Sequence, residues 1–320
     1  MESKDKETTK WARFAVLGAL VLAAIAIVVA KLETNNSAFA RNTQTTFDSP
    51  ANAGAALVKA AKNDEATALS EILGVDTKAL LMTGDKEADK VAMETFASKY
   101  HKMNRWVDMT DGSRVLYVGA DNFAFPVPLV KNSSGRWYFD GIAGAEEVRA
   151  RDIGRNELLA IDACAAIANA QDVYFARSGS SKVFAQRIIS TPGKQDGLYW
   201  PASEKDEPRP LGVLNQLPNA SLAELSADQP LIIDGYSIRI LTAQGDDAPG
   251  GAMNYVVDGK MSGGFAILAT PVKYGETGVM TFMTGSDGIV YERDFGPDTV
   301  KTASSIQDFN PTEDWSSIVD

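Results

Sequence analysis

FAILATPVKYGETGVMTFMTGSDGIVYERDFG, residues 265–296, sets three apolar runs apart with two glycine-framed turns. The runs are GGFAILATP (263–271), GVMTFMT (278–284) and GIVYERD (288–294). Between them lie Gly275-Glu276-Thr277-Gly278 and Gly285-Ser286-Asp287-Gly288, residue types that tolerate the positive φ of a tight turn. Short β-rich runs punctuated in this way read as an antiparallel meander. Working upstream, GYSIRILTA (235–243) is a further strand after a polar linker at 202–229, and VFAQRII (183–189) is predicted as the first strand of this half.

A helix precedes these strands. RNELLAIDACAAIANAQDVYFA, residues 155–176, places Leu158, Ile161, Ala165 and Ala168 along one stripe and is apolar on more than one side, so a sheet or another domain should cover it. Gly154 is expected to break or kink the helical stretch that begins after Gly144, with Asn156 capping the second part.

The first half repeats the order of helix and then sheet. Asp48-Ser49-Pro50 offers a capping side chain before a proline in the first turn, followed by helical spacing over 51–62, 64–73 and about 86–102. The period then changes. RWVDM, SRVLYVG, FAFPVPLVK and RWYFDG succeed one another, separated by Asp111-Gly112, Asp121-Asn122 and Ser133-Ser134-Gly135. Pro126 and Pro128 restrict their run to an edge or bulged strand. The predicted class is α+β: N-terminal helices plus a curved antiparallel sheet, then a helix packed on an antiparallel meander. The expected segments are a signal peptide or anchor at 1–40, a polar leader at 41–49, a first domain at 50–143, a helical connector at 144–154, a second domain at 155–300 and a tail at 301–320.

The 320-residue chain has a formal net charge of -11, which argues against nucleic acid as a partner because phosphate binding needs surplus Lys and Arg. At the start, Lys4, Lys6, Lys10 and Arg13 precede FAVLGALVLAAIAIVVA (14–30), and a polar stretch then ends in Ala38-Phe39-Ala40. That is the order of an export signal, with cleavage after Ala40. The alternative is an uncleaved anchor of minimal length, which would put residues 14–30 in the inner membrane as the chain's one membrane contact. Either reading places the remainder outside the cytoplasm, in the periplasm or cell envelope. Cys164, the only cysteine, cannot form an intramolecular disulfide and reads as a buried small hydrophobe.

Three resemblances follow from these strings. Helices followed by a curved sheet ending in Trp137-Tyr138-Phe139-Asp140 resemble the nuclear-transport-factor-2-like cone, a fold that often encloses a pocket. RNELLAIDACAAIANAQDVYFA with FAILATPVKYGETGVMTFMTGSDGIVYERDFG resembles the headpiece of type IV pilins and pseudopilins. The departure is the apolar segment, which lies far upstream instead of continuing into the headpiece helix, and this puts polymerisation into a pilus in doubt. The whole chain, through IGRNELLAI, STPGKQDGLYWP, RILTAQGDDAPGGA and GVMTFMTGSDGIVYERDFGPDT, is similar to the bacterial envelope family called domain of unknown function 2950. That likeness implies export and a two-part layout, and it implies no reaction.

The residues offer little for catalysis. His101 is the only histidine, so multi-histidine metal centres are excluded and no G-x-S-x-G elbow accompanies it. Paired carboxylates leave acid-base chemistry open, with Asp196 and Glu276 as candidates because each lies in a glycine-containing loop. Their alternative role is turn capping and solvation. The pilin likeness implies calcium as a cofactor, with Asp287, Asp294 and Asp298 as oxygen donors, although D-x-D-x-D-G spacing is absent. The loop TPGKQDGLYWP (191–201) has the composition of a recognition site, with Lys194, Gln195, Asp196, Tyr199 and Trp200 held between glycines and prolines. The competing reading tucks Tyr199 and Trp200 into the core.

The leading functional expectation is a non-enzymatic exported envelope protein that binds or assembles with an envelope protein or polymer. One alternative is an envelope hydrolase using the carboxylates of the 191–201 and 275–278 loops. Another is small-ligand binding in the N-terminal cone, lined by residues such as Trp106, Tyr117 and Trp137.

Overall fold

A computed structural model describes residues 44–63, 65–74, 85–200, 209–211, 226–227 and 229–318. The signal or anchor at 1–40, most of the 202–229 linker and Pro201 of the recognition loop lie outside the described residues. The chain divides into two compact units between Arg151 and Asp152, and both are α+β.

In the first unit, helices α1 (Pro50–Lys62), α2 (Ala66–Leu73) and α3 (Lys86–Lys102) precede strands β1 (Asn104–Asp108), β2 (Arg114–Val118), β3 (Phe123–Ala124), β4 (Leu129–Lys131) and β5 (Trp137–Phe139). Ser49 Oγ accepts from Asn52 N at 3.2 Å and caps α1, with Pro50 in the first turn where a missing N–H costs nothing. The antiparallel sheet runs β1-β2-β4-β5, with β3 also paired to β2. FAFPVPLVK is thus two short strands, because Pro126 and Pro128 fall between them and cannot donate to a ladder. Leu57, Leu116, Leu129 and Phe139 are fully buried in the core between helices and sheet.

Helix α4 (Gly141–Arg177) is continuous, which corrects the expected break at Gly154. A Cβ at Gly154 would meet nothing within 4 Å, so nothing presses on the helix there, and one glycine costs only about 1 kcal/mol relative to alanine. The N-terminal cap lies instead at Asp140, whose Oδ1 accepts from Ile142 N and Ala143 N at 3.2 Å each. Asn156 caps nothing; its Nδ2 donates to Thr277 O at 3.0 Å.

The second unit contains β6 (Leu231–Ile233), β7 (Tyr236–Leu241), β8 (Ala243–Gln244), β9 (Met253–Asn254), β10 (Val256–Val257), β11 (Lys260–Met261), β12 (Ala266–Pro271), β13 (Thr281–Gly285), β14 (Val290–Arg293), helix α5 (Thr299–Ser305), β15 (Asp308–Phe309) and β16 (Ser316–Ile318). The main antiparallel sheet has the order β16-β14-β13-β12-β7-β6. Every residue of β13 is buried, since both sheet faces are covered. On one face Phe282 lies opposite Glu292 and stacks near Tyr236, 5.8 Å between centroids, on the side that meets Glu157 and Cys164 of α4. On the other, Arg239 donates to the carbonyls of Ala303 and Ile306 at the end of α5, and Phe309 packs against Tyr291.

Residues 183–189 form no strand, contrary to expectation; they make only isolated bridges, Phe184 with Met261 and Ile189 with Tyr199. The buried side chain of Gln171 takes the place of a neighbouring strand. Its Nε2 donates to Ala185 O and its Oε1 accepts from Ala185 N, both at 2.8 Å.

Candidate functional site

The loop after Ile189 is closed by its own polar groups. Asp196 accepts from Thr191 N and from Thr191 Oγ1, both at 2.8 Å, and Ser190 Oγ accepts from Gly197 N at 2.9 Å. Gly197 passes so close to the preceding backbone that a Cβ there would lie 2.7 Å from Ser190 N. Lys194 and Gln195 are exposed at the tip. Tyr199 and Trp200 turn inward, 4% and 8% exposed, the core-packed one of the two readings of this loop. Tyr199 N donates to Ile188 O and its ring lies under Arg209 at 4.8 Å, while the buried Trp200 Nε1 has no hydrogen-bond acceptor among the described residues. The chain re-enters the core at Leu198, and the two aromatics continue that buried run.

Asp196 and Glu276, the acid-base candidates, are each engaged within their own loop. Burial works to raise the pKa of Asp196, but the Thr191 hydrogen bonds outweigh it and hold the carboxyl below its ordinary range. Glu276 is exposed and paired with Lys273 at 3.3 Å inside its own turn. No hydrogen bond or ion pair joins the two carboxylates among the described residues.

Of the calcium aspartates, two are engaged locally. Asp287 Oδ1 accepts from Ile289 N, Asp294 accepts from Gly296 N and from the Tyr274 hydroxyl, and Asp298 immediately precedes α5. Among the described residues no three His, Cys, Asp or Glu side chains gather as metal ligands, so these three do not form a carboxylate cage. Asp287 and Asp294 each serve a turn, a local role that pattern alone does not distinguish from ligation. His101 is exposed at the end of α3, edge-on to Tyr100. Cys164 is fully buried and its thiol is pushed up to about 12 by that burial, which makes it inert at neutral pH.

One arrangement was missed in the sequence, and a second was expected in the first unit but with other walls. The first is Glu157, 7% exposed, whose Oε1 accepts from Val279 N at 2.9 Å and Met280 N at 3.1 Å. Burial raises its pKa, the two amides pull the other way, and the charge of Asp294 adds to the rise. Glu292 is raised by burial and then by Glu157. The signal was present: a glutamate on the inward side of an apolar helix needs a partner.

The second lies in the first unit. A cavity of about 200 Å³ opens between α1, α2, α3 and the β3 segment. Leu57, Leu69, Leu73, Met93, Phe96 and Phe125 are among its walls, and Asp89 is the single charged lining residue among those described. The expected aromatic lining lies elsewhere. Trp106 packs toward Phe139, Tyr117 lies under Arg105 at 4.8 Å, and Trp137 is flanked by Arg114 at 5.0 Å and Lys131 at 4.8 Å. Tyr117 and Trp137 thus lie beside cations and Trp106 beside Phe139, whereas the cavity is bounded mainly by helices.

A family model described as "Protein of unknown function (DUF2950)" matches residues 44–318. No curated protein and no solved structure matches the chain.

Proposed function

We infer from its own residues the work of a chain that belongs to the DUF2950 family of proteins of unknown function. It is an exported, non-enzymatic binding protein of the bacterial envelope, and its N-terminal unit holds a small apolar ligand. The cavity carries this reading. An apolar cavity of about 150 Å³ stays dry and takes up benzene, and this one is of comparable size with an almost wholly apolar wall. A hydrocarbon group entering it leaves water for walls whose described residues are apolar except Asp89. Export is supported by the basic start, the apolar run at 14–30 and Ala38-Phe39-Ala40. The helices before the curved sheet support a cone-like first unit, and α4 laid on the meander supports a pilin-like second one. The hydrolase alternative gains nothing from Asp196 and Glu276, each held within its own loop.

Titration with the neutral fluorophore N-phenyl-1-naphthylamine tests the reading. The full chain is expected to raise its emission, and Met93→Trp, which fills the cavity from α3, is expected to remove most of that rise without changing the circular dichroism. Equal emission with the variant would remove the cavity from the proposal.

A further inference from the structure

The cavity wall on α3 continues past the cavity. Asp89, Ala92, Met93 and Phe96 follow one another at helical spacing, and Lys99 extends the same face by one turn. Phe123, which also lines the cavity, is 41% exposed. Two cations stand over its ring: Lys99 Nζ is 5.6 Å from the centroid and Arg151 Cζ is 5.9 Å.

Both cations have acid partners and retain donors. Lys99 Nζ bonds Asp121 at 2.6 Å, one of the three hydrogen bonds an ammonium can donate. Arg151 uses Nε on Glu147 at 2.7 Å and Nη1 on Ala124 O at 2.8 Å, out of five guanidinium donors. The lining acid, Asp89, is ten residues from Lys99 on the same helix, about 15 Å along the axis. That exceeds the screening length of about 8 Å at physiological salt, so Asp89 does not repel an anion placed at Lys99.

We propose that the cavity takes the alkyl chain of a short- or medium-chain carboxylate, with its head group held by Lys99 and Arg151 beside Phe123. The proposal rests on the apolar-ligand reading and adds the ligand's class and orientation. From Asp89 to Phe96 the wall runs about 10 Å, comparable to an extended octyl chain. Both cations are partly exposed, with side chains 36% and 39% accessible, so their attraction is moderate and salt-dependent.

Octanoate, octylammonium and octanol, titrated separately by calorimetry into the full chain, separate the parts of this proposal. Octanoate is expected to bind roughly fivefold or more tightly than octylammonium at physiological salt, the scale of two exposed ion pairs. Combining Lys99→Gln with Arg151→Gln should abolish that preference while octanol binding stays within about twofold, which also shows the variant to be folded. Equal binding of the two charged ligands by the parent chain, or a preference that survives the double substitution, overturns the head-group assignment and leaves the cavity reading standing. If none of the three binds, or if binding persists in Met93→Trp, both readings fall.

Discussion

Glu157 accepts two backbone amides at the entrance to a strand buried on both faces, while its neighbour Asn156 donates to Thr277 O two residues earlier. Adjacent side chains of α4 thus hold both a donor pair and an acceptor of the 277–280 backbone. Glu157→Ala leaves Val279 N and Met280 N without an acceptor, at about 1–3 kcal/mol for each buried orphan. The expected loss is about 2–4 kcal/mol in urea unfolding, whereas Glu157→Gln keeps an acceptor oxygen and loses less. The pH dependence has a definite sign. Burial holds the Glu157 pKa above its ordinary value, so the native state keeps a proton that the unfolded chain has released. Stability from this group is complete below the unfolded pKa of about 4.3 and is lost as pH rises through the raised native value. Between about pH 4 and pH 7 the parent should therefore lose more stability than Glu157→Gln. Carboxyls held low, such as Asp196, act in the opposite direction but are common to both proteins. Parallel pH profiles would show that Glu157 carries no proton across this window.

Helix α4 separates what its pattern reveals from what it hides. That a helix precedes a meander was legible, because apolar runs and Gly-Ser-Asp-Gly turns mark the strands and alanines at helical spacing mark the helix. The buried face was not. The expected stripe included Leu158 and Ala165, and both are exposed, while Ile153, Glu157, Ala160, Cys164, Ile167 and Gln171 are buried. An alanine-rich helix has little contrast between faces, and a glutamate and a glutamine at core positions disguise the true one. The strand expected at 183–189 failed for a related reason: Gln171 satisfies the Ala185 backbone from a distance that local pattern does not register. The same helix carries a paired prediction. Gly154→Ala meets nothing and should stabilise by about 0.5–1 kcal/mol by removing unfolded-state freedom. Gly144→Ala would place a Cβ 2.7 Å from Val127 Cγ2 and should destabilise instead. Thermal midpoints that move in opposite directions would establish the difference; a fall with Gly154→Ala would mean that the helix yields at that point after all.

Each unit buries a core drawn from its own residues: Leu57, Leu116 and Phe139 belong to one, Cys164, Tyr236 and Phe282 to the other. A pocket in the first unit was expected, but its walls were hidden from the sequence at this scale, because α1, α2, α3 and the segment around Phe123 each contribute a few ordinary apolar side chains to one space. No motif marks such a space; it exists only once the helices have converged. The cores also supply two separate reporters. Cys164, fully buried with its thiol pushed up to about 12, should stay closed to an aromatic disulfide reagent until the second unit opens. A cavity ligand at one hundred times its dissociation constant stabilises whatever unfolds with the cavity by about 2.7 kcal/mol. If the chain opened as one cooperative body, saturating octanoate would slow Cys164 labelling in mild urea roughly a hundredfold, since labelling of a transiently opened state follows its population. With separate cores, the first unit's unfolding midpoint should rise while Cys164 labelling changes by less than about twofold. A hundredfold slowing would show that the two cores unfold together and that a ligand in one unit stabilises both.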